Sequence, residues 1–216
     1  MKWIAHRGSH LQTVENSMKA FECALKENYD GCECDIRLTS DDGFIVYHDE
    51  TFKRLNHVKK YVSETSLHEA TSMRYIDDHE QKILSLNQLL QFFHQKQKYL
   101  FIEIKDKLNE RQIKSFIHLL SSYEIPYIII SFHLELLLQL RGLKCMWLVD
   151  KMHNKVMERI KDIPIKHVGC NVKYMTQKSL NQALNRGIEI SLWTVNSNQS
   201  YWSNQKIQFI TTDYRV

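Results

Sequence analysis

From residue 100 onward the chain repeats one pattern. A short, nearly continuous apolar run is followed by a longer stretch with apolar residues every three or four positions. The first kind predicts a strand buried on both faces, the second an amphipathic helix. The runs are LFIEIK (100–105), YIIIS (127–131), KCMWLV (144–149), HVGCNV (167–172), EISLWTV (189–195) and QFITT (208–212). Helices are predicted between them over 109–122, 133–141, 154–162, 177–186 and, shorter, 198–204, with Gly142 and Gly187 marking two of the ends.

The first hundred residues hold the same elements less regularly. KWIAHR (2–7) predicts a strand that stops at Gly8. Residues 17–28 predict a helix with Met18, Phe21, Ala24 and Leu25 at helical spacing, capped by Asn16 or Ser17. In the strand that follows, alternation puts Glu33 and Asp35 on one face and Cys32, Cys34 and Ile36 on the other. Asp42-Gly43 is a hairpin-turn signal leading into FIVYHD (44–49). Residues 50–82 are polar and irregular. Within them Ser66 to Glu69 form a capping box for a short helix, and Ser85 to Gln88 form a second that opens a helix to about Gln97.

Counting the two early strands gives eight, each followed by a helix except the last. Such alternation means an α/β protein with a parallel sheet, and eight units fit a closed (β/α)8 TIM barrel, for which 216 residues is near the lower end of the size range. The whole chain, 1–216, is expected to be one barrel domain. FIVYHD is then an excursion after the second strand rather than a stave, and 39–83 a small insertion over the barrel mouth. A doubly wound open sheet competes with this, but Gly8 stands alone and no glycine-rich phosphate loop follows a strand. The sequence runs only four residues past the final strand. That side of the barrel is expected to be covered by a partner subunit, as in a homodimer, or to be thin.

Composition narrows the partners. Apolar content of 43% and charged content of 25% are ordinary for a soluble globular chain. A net charge of +4, from 29 basic and 25 acidic residues, suits a small phosphate-bearing ligand and lacks the dense basic run of a nucleic-acid binder. No apolar run approaches the ~20 residues that span a bilayer, and MKWIAHRG has no signal-peptide core. A cytoplasmic protein with no stable membrane insertion is the expectation. Five unevenly spaced cysteines make no disulfide framework, and Cys32 and Cys34, facing away from the acids, read as core residues.

The chemistry begins with Glu33 and Asp35. Two carboxylates side by side in an apolar strand repel each other and are costly to bury. Either that face is exposed, or a hard cation compensates through oxygen ligands. Other polar residues gather at the same strand ends: His6 and Arg7 on the first strand, Glu103 and Lys105 on the third, Trp193 and Asn196 on the seventh, with His48 closing the excursion. Active sites of barrels form at the carboxyl ends of their strands. Each residue has a bland alternative. A strand-end histidine is commonly structural, Glu103 and Lys105 can pair on a surface, and Trp193 can be core. His6 and His10 are four apart, but Gly8 between them breaks any helical zinc pair.

The motifs H-R-G (6–8), E-N-S (15–17), E-x-D (33–35), D-G (42–43), H-D (48–49), E-I-K (103–105), S-F (131–132), W-T-V-N (193–196) and T-D (212–213) occur in that order. Over nearly its whole length the chain thus resembles the glycerophosphodiester phosphodiesterase family. The resemblance implies a TIM barrel that hydrolyses small molecules such as glycerophosphocholine to glycerol 3-phosphate and an alcohol, with a divalent cation, Ca2+ or Mg2+. It implies Glu33, Asp35 and Glu103 as metal ligands and His6 and His48 as the acid–base pair. Arg7 and Lys105 fall on phosphate-contacting positions, Trp193 on a substrate-pocket position, and Glu15 and Asn16 on a supporting polar pair. Val14 and Leu84 stand where proline is usual in the family, Ser17 where threonine is common, and Asn87 and Gln88 where glutamates are common. These departures leave the alcohol half of the substrate open.

The residue types suit the reaction. A cation neutralises developing charge on a phosphodiester, an arginine fork and a lysine grip its oxygens, and two histidines move the two protons required. The alternative is a lysophospholipase D or phospholipase-type phosphodiesterase acting on a lipid-tailed substrate. It is less favoured because residues 50–82 are polar and carry Lys53, Arg54, Lys59 and Lys60. A non-enzymatic barrel that binds phosphate esters is expected to lack one of the two histidines or three acids, and all five are present.

Overall fold

The computed structural model describes residues 1–140 and 142–215. Strand β1 (Lys2–Ala5) leads to helix α1 (Met18–Lys26). Ser17 caps that helix by accepting from the Ala20 amide, which leaves Asn16 free for another bond. Strand β2 (Gly31–Leu38) turns back through residues 39–43 into the antiparallel β3 (Phe44–Val46). The excursion continues through α2 (Lys53–Asn56), a 3-10 turn at Val62–Glu64, α3 (Leu67–Ser72) and β4 (Leu84–Ser85), which pairs with β3.

Regular alternation follows. It runs α4 (Leu86–Phe93), β5 (Tyr99–Ile104), α5 (Glu110–Ser121), β6 (Tyr127–Ser131), α6 (Leu134–Gln139) and β7 (Cys145–Val149). It ends with α7 (Asn154–Lys161), β8 (His167–Asn171), α8 (Gln177–Asn185), β9 (Glu189–Trp193), α9 (Gln199–Ser203) and β10 (Phe209–Thr212).

The parallel order β1-β2-β5-β6-β7-β8-β9-β10 closes on itself where β1 pairs with β10. This is the (β/α)8 barrel, with β3 and β4 outside the closed ring as an appendage of β2. The β2–β5 register sets Asp35 opposite Glu103 and Glu33 opposite Phe101. Alternation then sorts the strand residues. Cys32, Cys34, Leu100 and Ile102 join the core beneath the helices. Ile4, Phe101, Ile128, Ile130, Met146, Leu148 and Phe209 form a separate apolar cluster. The carboxylates sit on the same strand face as Phe101, toward the carboxyl ends. A third cluster, with Ile45, Tyr47, Phe52, Val62, Tyr75 and Ile83, gives the excursion its own core, joined by Val14 from the β1–α1 connection.

Local differences from the sequence expectation have physical causes. Helix α4 stops at Phe93 instead of near Gln97, because Gln95 and Gln97 adopt left-handed backbone angles of 62° and 52°. The box at Ser85 forms in full, but Glu69 does not complete the one at Ser66. Its carboxylate is held at 2.8 Å by Lys60. The predicted helix end at Arg141 lies outside the described residues. Among them, no helix is long and apolar enough to cross a membrane.

Candidate active site

The turn after β1 sets the first residues of the mouth. Gly8 has φ +77°, and a Cβ there would lie 2.7 Å from the Ala20 carbonyl carbon, so α1 packs directly on this backbone. Arg7 is also left-handed, at 55°. Its amide donates to Glu33 Oε2 at 3.0 Å, its Nε lies 3.1 Å from Asp35 Oδ2, and its Nη1 donates to Glu15 Oε1 at 2.9 Å. Asn16, left-handed at 57°, holds Asp35 twice: its Nδ2 donates to Oδ2 at 2.9 Å and its Oδ1 accepts from the Asp35 amide at 3.3 Å. Asparagine tolerates that backbone region better than most residues.

Glu33, Asp35 and Glu103 converge. Each offers one oxygen, and these oxygens all lie within 4.8 Å of one another. Glu33 and Asp35 are buried and the Glu103 side chain is 12% exposed. Lys105 Nζ sits between two of them, 2.8 Å from Glu103 Oε1 and 3.2 Å from Asp35 Oδ1. The trio is electrostatically split. Burial, then Asp35 and Glu103, push the Glu33 carboxyl well above its ordinary range. Burial and the Asp35 charge also raise Glu103. Burial opposes ionisation of Asp35 too, but Lys105, Arg7, His48 and the Asn16 bond outweigh it and hold the group at about 2.

Glu33 Oε1 is buried without a hydrogen-bond partner. A buried acceptor left unpaired costs its full desolvation, about 1–3 kcal/mol or more when charged. A hard cation supplies what that oxygen and the mutual repulsion lack, so the donor set fits one.

Two imidazoles flank the acids. His6 Nδ1 donates to Asp213 Oδ1 at 2.7 Å and turns Nε2 to within 3.9 Å of Glu33 Oε2. His48 Nδ1 donates to Asp49 Oδ1, also at 2.7 Å. A carboxylate on Nδ1 fixes the tautomer and leaves Nε2 for chemistry. Burial holds the His48 imidazole below its ordinary value, opposed by Asp35 and the Asp49 bond. Burial pushes Asp213 up, but the His6 hydrogen bond and charge, with Asn196 and His10, bring it down to about 2. Asn196 fastens Asp213 by donating to Oδ2 at 2.5 Å and accepting from its amide at 3.0 Å.

These groups open on a cavity of about 280 Å3. His6, Arg7, Glu33, His48, Glu103 and Lys105 line one side. Ile130, Phe132, Met146, Leu148 and Trp193 line the other, with Phe132 edge-on to Trp193 at 5.6 Å. A larger cavity of about 670 Å3 lies between α1 and Tyr214–Arg215 and contains none of the three clustered acids.

The ten residues to which the family resemblance gave a role therefore meet in one region. Glu15 and Asn16 sit one contact back, and the other eight line the cavity or, like Asp35, lie directly beneath it. Three residues had no role read from the sequence. Asp49 and Asp213 back the histidines, and Arg54 joins Asp49 to Glu15. Arg54 forks onto Asp49 at 2.6 and 3.0 Å and onto Glu15 at 2.9 and 2.8 Å. The dipeptides H-D and T-D were the available signals for the two aspartates. Arg54 had none, since it read as one basic residue in a polar stretch.

The fold and mouth define a TIM-barrel protein whose polar chemistry, acids, imidazoles and cations together, is gathered at the carboxyl ends of its strands. Residues 6–214 match the Glycerophosphoryl diester phosphodiesterase family, and the chain belongs to that family. Among curated relatives it is 33% identical over 112 residues to the uncharacterised protein YqiK of Bacillus subtilis, a match covering 50% of this chain and 46% of that protein. It is 40% identical over 63 residues to a human lysophospholipase D, covering 29% of this chain and 20% of that protein. These matches span less than half the length of either relative. The fold is similar to that of an Oleispira antarctica phosphodiesterase solved in complex with the product sn-glycerol-3-phosphate, with TM-score 0.91, 19% identity, and coverage of 99% of this chain and 93% of that one.

Proposed function

We propose that this protein hydrolyses glycerophosphodiesters to glycerol 3-phosphate and an alcohol. Glu33, Asp35 and Glu103 hold a divalent cation, Ca2+ or Mg2+, and His6 and His48 transfer the protons. The observation that carries this reading is the convergence of three carboxylates, one with an orphaned oxygen, between two imidazoles each anchored at Nδ1. When bound, the cation supplies charge neutralisation at a non-bridging phosphate oxygen.

The chain's own groups do the rest. Lys105, on the cavity wall, offers a point charge to the phosphate, and Arg7 adds its guanidinium from the strand end. One imidazole Nε2 takes the proton of the attacking oxygen, and the other gives its proton to the leaving alcohol oxygen as the P–O bond breaks. Each transfer is worth on the order of 10²–10⁴-fold. Trp193 and its apolar neighbours shape the side opposite the acids. The chain, 1–216, works as one catalytic domain with residues 39–83 as the cover that brings in His48. Free, unpaired cysteines support a cytoplasmic setting.

The test is turnover of glycerophosphocholine with and without chelator. Activity is expected to vanish on chelation and to return with added Ca2+ or Mg2+. Full activity in excess chelator would remove the metal from the scheme. The apolar wall, with Phe132 42% exposed at its rim, favours a second reading in which a lipid-tailed substrate is cleaved. Comparing kcat/KM on glycerophosphocholine and lysophosphatidylcholine separates the two, and the first reading expects the water-soluble diester to be preferred.

A further inference from the structure

A second cavity, of about 520 Å3, adjoins the first along the excursion. His48 lines one and Asp49, the next residue, lines the other. The second is lined by Asp49, Thr51, Lys53, Arg54, His57 and Lys59. Its charges are unbalanced. Asp49 is occupied by His48 and Arg54, and the Arg54 charge is paired with Asp49 and Glu15. Among the described residues, the Lys53 and Lys59 ammonium groups, the His57 ring and the Thr51 hydroxyl have no partner. The nearby Lys60, in contrast, is paired with Glu69. What remains is a concave surface with two free cations, a hydroxyl donor and an imidazole, and no unpaired acid in its lining.

The loop that carries the lysines is built, not loose. The Phe52 amide donates to the Lys60 carbonyl at 3.1 Å and the Val58 amide to the Phe52 carbonyl at 3.4 Å. Phe52 itself is fully buried in the excursion core. Lys53 and Lys59, just inside this closure, are thereby held on one cavity. Unpaired cations that line one cavity raise each other's energy until an anion arrives, and the more so at low salt.

We propose that this cavity is an anion subsite, and that the preferred substrate carries a second phosphate on its alcohol half, held by Lys53, Lys59 and Thr51. The proposal rests on the phosphodiesterase reading of the mouth and deepens it, because it addresses the half of the substrate that the family motifs leave open. A quaternary ammonium alcohol such as choline is repelled by the same two lysines. A free phosphate ion shares the chemistry, so the experiment distinguishes a phosphate within the substrate from one acting separately.

Two substrates isolate the second phosphate: glycerophosphoglycerol, and bis(glycerophospho)glycerol, in which another phosphodiester lies one glycerol away. The wild type is expected to show kcat/KM about five- to tenfold higher on the second, beyond the factor of two for its equivalent ends, and the preference is expected to shrink as salt rises. In the Lys53→Gln/Lys59→Gln double variant the ratio should collapse to the statistical value. A Lys155→Gln/Lys178→Gln variant, equal in charge change but on α7 and α8, should keep it. Equal kcat/KM in the wild type, or a preference that survives loss of Lys53 and Lys59, overturns the subsite. So does activation of glycerophosphoglycerol turnover by inorganic phosphate with no preference for the bis compound, which would mark an effector site. Calorimetry of bis(glycerophospho)glycerol on wild type and double variant stands apart from turnover. A matching loss of affinity supports the subsite even if hydrolysis fails, and equal affinity refutes it even if the phosphodiesterase reading holds.

Discussion

Asp213 accepts the His6 proton across a separation of 207 residues, while Asp49 serves His48 from the next position in the chain. The two imidazoles thus receive the same support by opposite routes, one long-range and one local. His6→Ala and His48→Ala should each lower turnover at least about a hundredfold with the far-ultraviolet circular dichroism spectrum unchanged. Asp213→Asn should lower kcat roughly ten- to hundredfold and leave KM within about twofold, since it disturbs the tautomer and not the substrate contacts. A rise in KM at constant kcat would show that Asp213 acts on substrate binding instead. Glu33 and Asp35 announced themselves by alternation in a strand, but the orphaned oxygen on Glu33 did not. Whether a side-chain atom finds a partner depends on groups that only folding delivers.

At the scale of elements, one guanidinium couples the support of His48 to that of Arg7 across the excursion and the barrel. Arg54 on α2 holds Asp49, and with it His48, while its other fork holds Glu15, which steers Arg7. Arg54→Gln loses both forks. It is expected to raise amide hydrogen exchange over residues 48–56 and to cost roughly ten- to hundredfold in turnover through misplacement of His48. Unchanged exchange there would mean that the buried Tyr47 and Phe52 anchors, with the Arg37 bond to the His48 carbonyl, suffice without the forks. The β1–α1 turn is under a different constraint. Gly8→Ala places a methyl group 2.7 Å from a backbone carbon at φ +77°, and should cost about 2 kcal/mol or more in the urea-unfolding free energy. The barrel strands and most helices were legible to within a few residues, because period and capping are local properties, whereas the short α2 and β4 were not. The end of α4 was not, because polar residues at 94–97 fit either a helix or the left-handed turn that the chain adopts.

The whole molecule carries a pH dependence unrelated to catalysis. His167 lies in the barrel, stacked on Phe209 at 5.9 Å and bonded to Ser191 Oγ at 2.7 Å, and burial lowers it from 6.5 to about 4. The unfolded chain therefore takes up this proton first. The stabilising contribution is complete above about pH 6.5 and is lost as pH falls toward 4, to a total of about 3 kcal/mol. His167→Gln keeps a polar contact for Ser191 and should flatten that part of the stability profile measured by chemical denaturation between pH 7 and 4. A profile as steep as wild type would place the acid sensitivity elsewhere.

Eight strands, their helices, the excursion after β2 and the alternation that puts Glu33 beside Asp35 follow from spacing along the chain, because each depends on neighbours a few residues away. The β2–β5 register that sets Asp35 against Glu103 and the bond from His6 to Asp213 do not. Nor do the double fork of Arg54 and the cavity with its unpaired lysines. Those arise only when the sheet closes on itself and residues near opposite ends of the chain come within hydrogen-bonding distance.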